Sequence, residues 1–309
     1  MFINVFTQVV ILLILMGVGF VLTKAKMLNH NATACITDLV LYSVTPCVIV
    51  HSFLREFNKE TLKNLLLSFS LAILTHLVFI ILCHLVLRLK DTDKCRLLRF
   101  ASIFSNCGFM SLPLQQAILG DDGVLFCATY IATFNIIIWS YGTMLMSGDK
   151  KYITPKKLVL NPGLIAVAIG LVLFITQLPL PKVITQPINY LAALNTPLPM
   201  IIIGFHLANS NFGKILRDKA ALYTIFLRLV AFPLVIVAIL FLLNVSNTIA
   251  ISITNSACAP VGAMSKMFAA NFNSKPELVE LSAGTVSFST VLSLITMPLI
   301  ITLAQTLIK

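Results

Sequence analysis

Acidic residues are scarce in this chain of 309 residues: 11 Asp and Glu stand against 22 Lys and Arg, and charged residues of both signs make up only 11%. Soluble globular domains carry about 25% charged residues. A chain this poor in charge, 58% hydrophobic and with a mean hydropathy of +0.98, falls outside that class and is solvated mainly by lipid. Catalytic signatures are missing as well. There is no G-x-S-x-G, no H-E-x-x-H, no G-x-x-x-x-G-K-[ST], and no carboxylate pair inside an apolar run. These absences argue against an enzyme and against a nucleotide-driven pump. The seven cysteines (Cys35, Cys47, Cys83, Cys95, Cys107, Cys127 and Cys258) form no C-x-x-C pair. Neither disulfides nor zinc are expected, and the cysteines read as small buried hydrophobes. Met1, Phe2 and Ile3 provide no basic stretch before the first apolar run, and no small-residue cleavage site follows, so no cleavable signal peptide is expected.

What the chain has is apolar runs. A membrane-spanning helix takes about 20 such residues, and ten runs bounded by charge or turn residues are present. The first five are Val5 to Thr23, Ala32 to Phe53, Leu62 to Leu87, Leu97 to Leu119 and Val124 to Met146. The second five are Pro162 to Leu178, Pro187 to Ala208, Ala220 to Leu243, Thr248 to Phe272 and Leu281 to Ile308. Between the two sets lies the longest polar stretch, SGDKKYITPKKLVL, with Lys150, Lys151, Lys156 and Lys157. The organisation expected is a first five-helix repeat over residues 1–147, a linker over 148–160 and a second repeat over 161–309.

Basic residues fix the orientation. Fifteen Lys and Arg fall in the loops after odd-numbered spans and five (Arg55, Lys59, Lys63, Lys182 and Lys309) on the other side. Cytoplasmic loops carry the excess of Lys and Arg, so both termini are expected outside and the linker in the cytoplasm of a multi-pass cell (inner) membrane protein. Spread over short loops in this way, the positive charge indicates a lipid bilayer as partner and no nucleic acid. An odd number of spans per half puts the halves in opposite orientations, the inverted-repeat plan of secondary transporters.

Prolines recur at matching places in the two halves. Span two carries Thr45-Pro46 and span seven Thr196-Pro197; span four carries Asn106 with Pro113, and span nine Asn255 with Pro260. A proline inside a helix removes a donor and clashes with the preceding turn, and in lipid the freed carbonyls must still find partners. Ser111 near Pro113 and Ser256 near Pro260 are of the polar, small kind that suits unwound backbone lining a cavity. If both helices break, Pro113 and Pro260 sit near the first residue of each second half-helix, a favoured place for proline. The free N–H groups there attract an anion, and the facing carbonyls suit a cation. Simple proline kinks are the alternative.

Ionisable groups inside spans are functional candidates by default. Arg228 near the middle of span eight, Lys266 just beyond Pro260 and Asp38 in span two are the candidates for charge or ion coupling. For Arg228 the alternative is a structural tie to backbone carbonyls, for Lys266 a snorkelling side chain, and for Asp38 an interfacial position. His51, His76, His84 and His206 read as structural. Asn135 in span five is either interhelical glue or a cavity ligand.

Five segments carry a family resemblance: SNCGFMSLPLQQAILG, FNIIIWSYG, LNPGLIAVAIGLVLF, TPLPMIIIGFHLA and SACAPVGAMSKMFAANFN. In that order the chain resembles the auxin efflux carrier family, whose bacterial members include malate and malonate permeases. The resemblance implies an all-α membrane fold of ten transmembrane helices, in two inverted five-helix repeats with broken crossing helices 4 and 9, related to the bile-acid/sodium symporter fold. It also implies a scaffold of spans one, two, six and seven, and a transport domain of spans three to five and eight to ten. Substrate would sit at the crossover, with Pro113 and Pro260 as the crossover prolines, Asn106 as the site asparagine and Asn135 at a polar position. The short linker departs from the long loop of the plant carriers and favours a bacterial-type permease.

The expectation is a secondary transporter of a small carboxylate, with Asn106, Ser111, Pro113, Asn135, Asn255, Ser256 and Pro260 as substrate residues. No cofactor or metal is expected; a proton or sodium ion is the candidate for coupling, and a homodimer the candidate assembly. A channel-like pore and a membrane sensor are the readings from other classes.

Overall fold

The computed structural model describes residues 2–153, 156, 159–210, 212–272 and 275–308, with residues 2–5 as backbone only. Lys157 and Lys309, which entered the charge count above, lie outside these residues. Among the described residues every regular element is helical. In chain order the α-helices are α1 (Phe2–Lys24), α2 (His30–Leu39), α3 (Thr45–Phe53), α4 (Lys59–Val86), α5 (Thr92–Ile103), α6 (Leu112–Ile137) and α7 (Thr143–Ser147). The second half holds α8 (Pro162–Thr176), α9 (Lys182–Ala193), α10 (Pro197–Ala208), α11 (Phe212–Arg217), α12 (Lys219–Phe226), α13 (Phe232–Leu242), α14 (Asn247–Cys258), α15 (Met264–Phe272) and α16 (Pro276–Leu307).

Among the described residues seven helices are long and apolar enough to cross a membrane: Phe6–Lys24, His30–Phe53, Lys59–Val86, Cys107–Ser147, Lys182–Ala208, Lys219–Leu242 and Pro276–Leu307. Three of them run through π turns whose cause is legible in the sequence. The N–H of Thr45 reaches the carbonyl of Val40, that of Leu112 reaches Cys107, and that of Phe232 reaches Leu227. Each donor reaches back five residues instead of four, and each immediately precedes a proline: Pro46, Pro113 or Pro233. A proline ring collides with the carbonyl four residues earlier; a turn widened by one residue moves that carbonyl aside and the helix continues.

The segment Cys107–Ser147 spans 41 residues. Straight, it would be about 60 Å long, twice the hydrocarbon core of a bilayer. It is not straight: Gly120 adopts φ 61°, ψ −146° inside α6, a conformation open to glycine and closed to residues with a Cβ. The turn falls in the gap between the sequence-derived spans four and five. The run Thr248 to Phe272, read above as one span, is likewise divided between α14 and α15. With α8 only 15 residues long, the ten apolar runs do not appear as ten unbroken helices.

Polarity is inverted relative to a soluble domain. Ile14, Val21, Leu66, Val172, Leu242 and Ile295 are each more than half exposed, whereas Ser252, Thr254, Asn255 and Ser256 of α14 and Ser282, Thr285, Ser289, Thr290 and Ser293 of α16 are buried. Apolar side chains facing outward and hydroxyls facing inward suit a lipid surround. Without a hydrophobic drive between helices, close backbone approach supplies the packing. It does so where α1 meets α10: a Cβ on Gly19 would strike the backbone of Ile201, and one on Gly204 the backbone of Met16. Elsewhere α3 packs along α8, α14 lies between α6 and α16, and α4 lies against α6.

Loops distant in sequence are tied together in two groups. Lys94 pairs with Asp218 at 2.6 Å, Lys214 with Glu280 at 2.7 Å and Lys275 with Asp93 at 3.0 Å, and Lys24 Nζ donates to the carbonyl of Ala208. In the other group Arg55 pairs with Asp122, and Gln177 donates to the carbonyl of Arg55.

Candidate functional site: a crossing of two unwound segments

Two interruptions of the helical backbone meet in the protein interior. After α5 the chain unwinds over residues 104–106 before the π turn Cys107–Ser111; after α14 it unwinds over 259–263 before α15. Phe104 (φ −96°, ψ 114°) and Ala259 (φ −61°, ψ 150°) are extended. The segments run antiparallel: the N–H of Asn106 donates to Pro260 O at 2.8 Å and the N–H of Gly262 to Phe104 O at 2.9 Å, with Ser105 opposite Val261. The backbone groups released by two broken helices thus satisfy one another, as burial demands. Val261 N–H donates in addition to Ser289 Oγ of α16 at 3.1 Å.

The breaks sit elsewhere than the prolines suggested. Pro113 lies in the first turn of α6, after a π turn that carries the helix past it; the interruption comes at residues 104–106. Pro260 lies within the interruption, and α15 starts only at Met264. Neither proline is therefore the first residue after its break. The ring's clash is relieved by the widened turn in one case and by leaving the helix altogether in the other.

Side chains around the crossing fall into those engaged and those with capacity left. Ser111 Oγ donates to Asn255 O at 3.1 Å, and Asn255 Nδ2 donates back to Ser111 O at 3.4 Å. Gln115 Nε2 donates to Ser252 O at 2.8 Å and to Ser256 Oγ at 3.2 Å. Left without a partner among the described residues are Asn255 Oδ1, Gln115 Oε1 and Ser105 Oγ. The buried side-chain amide of Asn106 also makes no hydrogen bond to a described residue, and it caps no N–H of the helix it precedes. Native interiors leave few polar atoms unpaired; here several converge on one crossing.

Asn135 is placed differently. Its Nδ2 donates to Ile131 O and its Oδ1 accepts from Asn161 Nδ2, both at 2.9 Å, while Asn161 Oδ1 caps α8 through Gly163 and Leu164. The Oδ1 end ties α6 to the cap of α8 and the Nδ2 end bonds back within α6, so neither end of the amide is bonded to a crossing residue. Asp38 is exposed on α2 and forms no ion pair among the described residues. Arg228 is fully buried, bonded to backbone carbonyls at both breaks. Gln115 and Ser105 were not singled out from the sequence. Gln115 is an amide within an apolar run, the same signal that drew attention to Asn135.

A cavity of about 700 Å³ approaches the crossing, with Ala263 and Lys266 in its lining together with His30, His206, Asp218 and Glu280. Asp218 and Glu280 are neutralised by Lys94 and Lys214. Lys266, next to the second break, forms no ion pair among the described residues, and neither do Asp91 and Glu277, which also line the cavity. No group of three or more His, Cys, Asp or Glu among the described residues is arranged to hold a metal ion.

An all-helical chain with lipid-facing apolar surfaces, a buried polar crossing and a cavity leading towards it defines a multi-pass membrane protein of transport type. A family model described as membrane transport protein matches residues 4–301, and the chain belongs to that family, the auxin efflux carriers of the resemblance. An uncharacterized transporter of Methanothermobacter thermautotrophicus is 27% identical over 299 residues, covering 93% of this chain and 94% of its own. An uncharacterized transporter of Methanocaldococcus jannaschii is 25% identical over 211 residues, covering 65% and 68%.

Proposed function

We propose that the chain is a secondary transporter of a small organic anion, a dicarboxylate or auxin-like carboxylate, working by alternating access at the crossing. The observation that carries this reading is the antiparallel pairing of residues 104–106 with 259–262, flanked by polar atoms that no described residue satisfies. Asn106 donates its amide to the carboxylate beside the first-turn N–H groups of the helix restarting at Cys107, where the helix dipole favours negative charge. Asn255 offers an acceptor, Oδ1, to a substrate hydroxyl or protonated carboxyl. Ser111, Ser256 and Gln115 hold the frame, with Pro113 and Pro260 shaping the backbone and Asn135 fixing the neighbouring helices. Lys266, a cavity-lining cation six residues beyond Pro260, is the charge that an arriving carboxylate would meet.

Ten crossings in two inverted repeats complete the proposal, with residues 1–147 and 161–309 as the repeats, both termini outside and the cell membrane as location. Three features support it. Gly120 interrupts the helical path of Cys107–Ser147; the two breaks occupy matching places, α5–α6 and α14–α15; and exchange of the repeats turns the α1–α10 contact into the α8–α3 contact. The loop groups tied by Lys94–Asp218 and by Arg55–Asp122 are each drawn from one expected side. Spans one, two, six and seven act as scaffold, in a homodimer, and the remaining spans move.

Labelled dicarboxylates taken up by proteoliposomes test the function. Saturable uptake supports a carrier, uptake linear in concentration indicates a pore, and no uptake across a panel of organic acids indicates a sensor.

A further inference from the structure

The side chain of Arg228 is the largest fully buried one among the described residues and sits in the π turn Leu227–Ala231 that Pro233 imposes. Its Nε donates to Ala259 O at 2.9 Å, its Nη2 to Ala257 O at 2.6 Å, and its Nη1 to Ser102 O and Ile103 O at 3.3 Å each. Ser102 and Ile103 close α5, Ala257 lies in the last turn of α14 and Ala259 is the residue just past it, so the acceptors sit at the C-terminal ends of the two helices that stop at the breaks. The phenyl ring of Phe79 covers the guanidinium, 5.1 Å from its centroid.

A buried charge needs a counter-charge, and among the described residues no carboxylate pairs with Arg228: the five ion pairs all lie elsewhere. Each helix C-terminus carries about −0.5 of an elementary charge. Two of them meeting at one point supply about −1, the balance for a single guanidinium. The same ring of carbonyls at half-helix ends is what binds a coupling cation in transporters with broken helices. In this chain those carbonyls already have donors.

We propose that Arg228 is a resident cation: its guanidinium fills the carbonyl-lined position at the crossing where a coupling ion would otherwise bind, so the chain takes no sodium there. The proposal rests on the transport reading for its meaning in the cycle, but its physical content is separate. Removal of the guanidinium leaves two uncompensated helix ends facing a vacated space of matching shape, a site for a free guanidinium ion. Wild type, with the position filled, has none.

The test uses purified full-length protein and thermal unfolding. Wild type is expected to unfold at the same temperature in sodium chloride and in choline chloride of equal ionic strength, and to show no saturable binding of radioactive sodium. Arg228→Ala is expected to unfold at a lower temperature and to regain part of the loss saturably with dilute guanidinium chloride, whereas urea restores nothing. Arg228→Lys keeps the charge and is expected to show a smaller loss and no guanidinium response. Saturable sodium binding by wild type overturns the proposal, and so does an Arg228→Ala protein that is as stable as wild type or indifferent to guanidinium. Should Arg228→Ala not fold even with guanidinium present during extraction, the sodium measurement on wild type decides alone. None of these readouts requires flux, so a chain that moves no carboxylate fails the uptake test without changing them.

Discussion

The backbone N–H of Asn106 donates to the carbonyl of Pro260, and that 2.8 Å bond joins the first half of the chain to the second where both leave the helical path. Two residues along each segment, Gly262 returns the bond to Phe104. The lock is tight on the glycine side. A Cβ on Gly262 would lie 2.9 Å from Ser105 O and 3.1 Å from Phe104 O, backbone atoms that cannot rotate away.

Gly262→Ala is therefore expected to prise the segments apart, at a cost of about 1–3 kcal/mol for overpacking a filled site. Gly108→Ala, four residues beyond Phe104 and with nothing within 4 Å of the added methyl, is the matched control. Thermal unfolding of the two purified variants checks this: Gly262→Ala falls below wild type and Gly108→Ala stays with it. Equal loss in both would mean the ladder at the crossing is not tight.

A second prediction concerns pH. Burial opposes the charge of Asp218, but the hydrogen bond from Lys94 and the N–H groups of Ala220 and Ala221 outweigh it and hold the carboxyl below its ordinary 3.8. A depressed folded-state pKa gives stability that is complete above the unfolded value and is lost as pH falls through the folded one. Asp218→Asn keeps the helix cap, since Asn caps as well as Asp, and removes the ion pair. The variant should unfold below wild type from neutral pH down to the ordinary carboxylate value, and the gap should close in stronger acid. Unfolding midpoints across that range measure it; a gap unchanged in acid would assign the loss to something other than the Lys94–Asp218 pair.

Topology gives a third. Asn58 and Lys151 are both exposed and belong to loops expected on opposite sides. In a Cys35→Ser background, which removes the exposed native thiol, Asn58→Cys should react with an impermeant maleimide added outside intact cells. Lys151→Cys should react only after permeabilisation. Labelling of both from one side would contradict the five-plus-five arrangement.

Composition and run length made the membrane class legible from sequence, because lipid tolerates only long apolar helices with few charges. The matched prolines pointed to the two interrupted segments, but only Pro260 lies inside its interruption, while Pro113 lies several residues past the one at 104–106. Pro113 looked like a breaker, yet a helix can absorb a proline by widening one turn, and no local sequence feature says which remedy is used. The interruption at Phe104–Asn106 exists because its released backbone groups meet those of Ala259–Gly262, a partner more than 150 residues away; that pairing is tertiary and leaves no local mark. Arg228 showed the same limit: its place in the span was readable, but its four carbonyl partners come from two other helices. Asn135 and Gln115 are both amides in apolar runs, and only packing distinguishes the one that ties α6 to α8 from the one that reaches α14 beside the crossing.

The direct test of an anion site at the crossing is equilibrium binding of a carboxylate to Asn106→Ala. A carboxylate is first selected by its thermal stabilisation of wild type from a panel of organic acids. The lost hydrogen bond to a charged group is worth about 1.5–3 kcal/mol, or ~10- to 150-fold in Kd. Asn106→Ala should weaken binding within that range while its unfolding temperature without ligand stays close to wild type, since the amide bonds no described residue. The exposed Asn58→Ala should bind as wild type does. Wild-type affinity in Asn106→Ala would contradict the account, and the paired breaks would then be a feature of the fold and not the place where substrate binds.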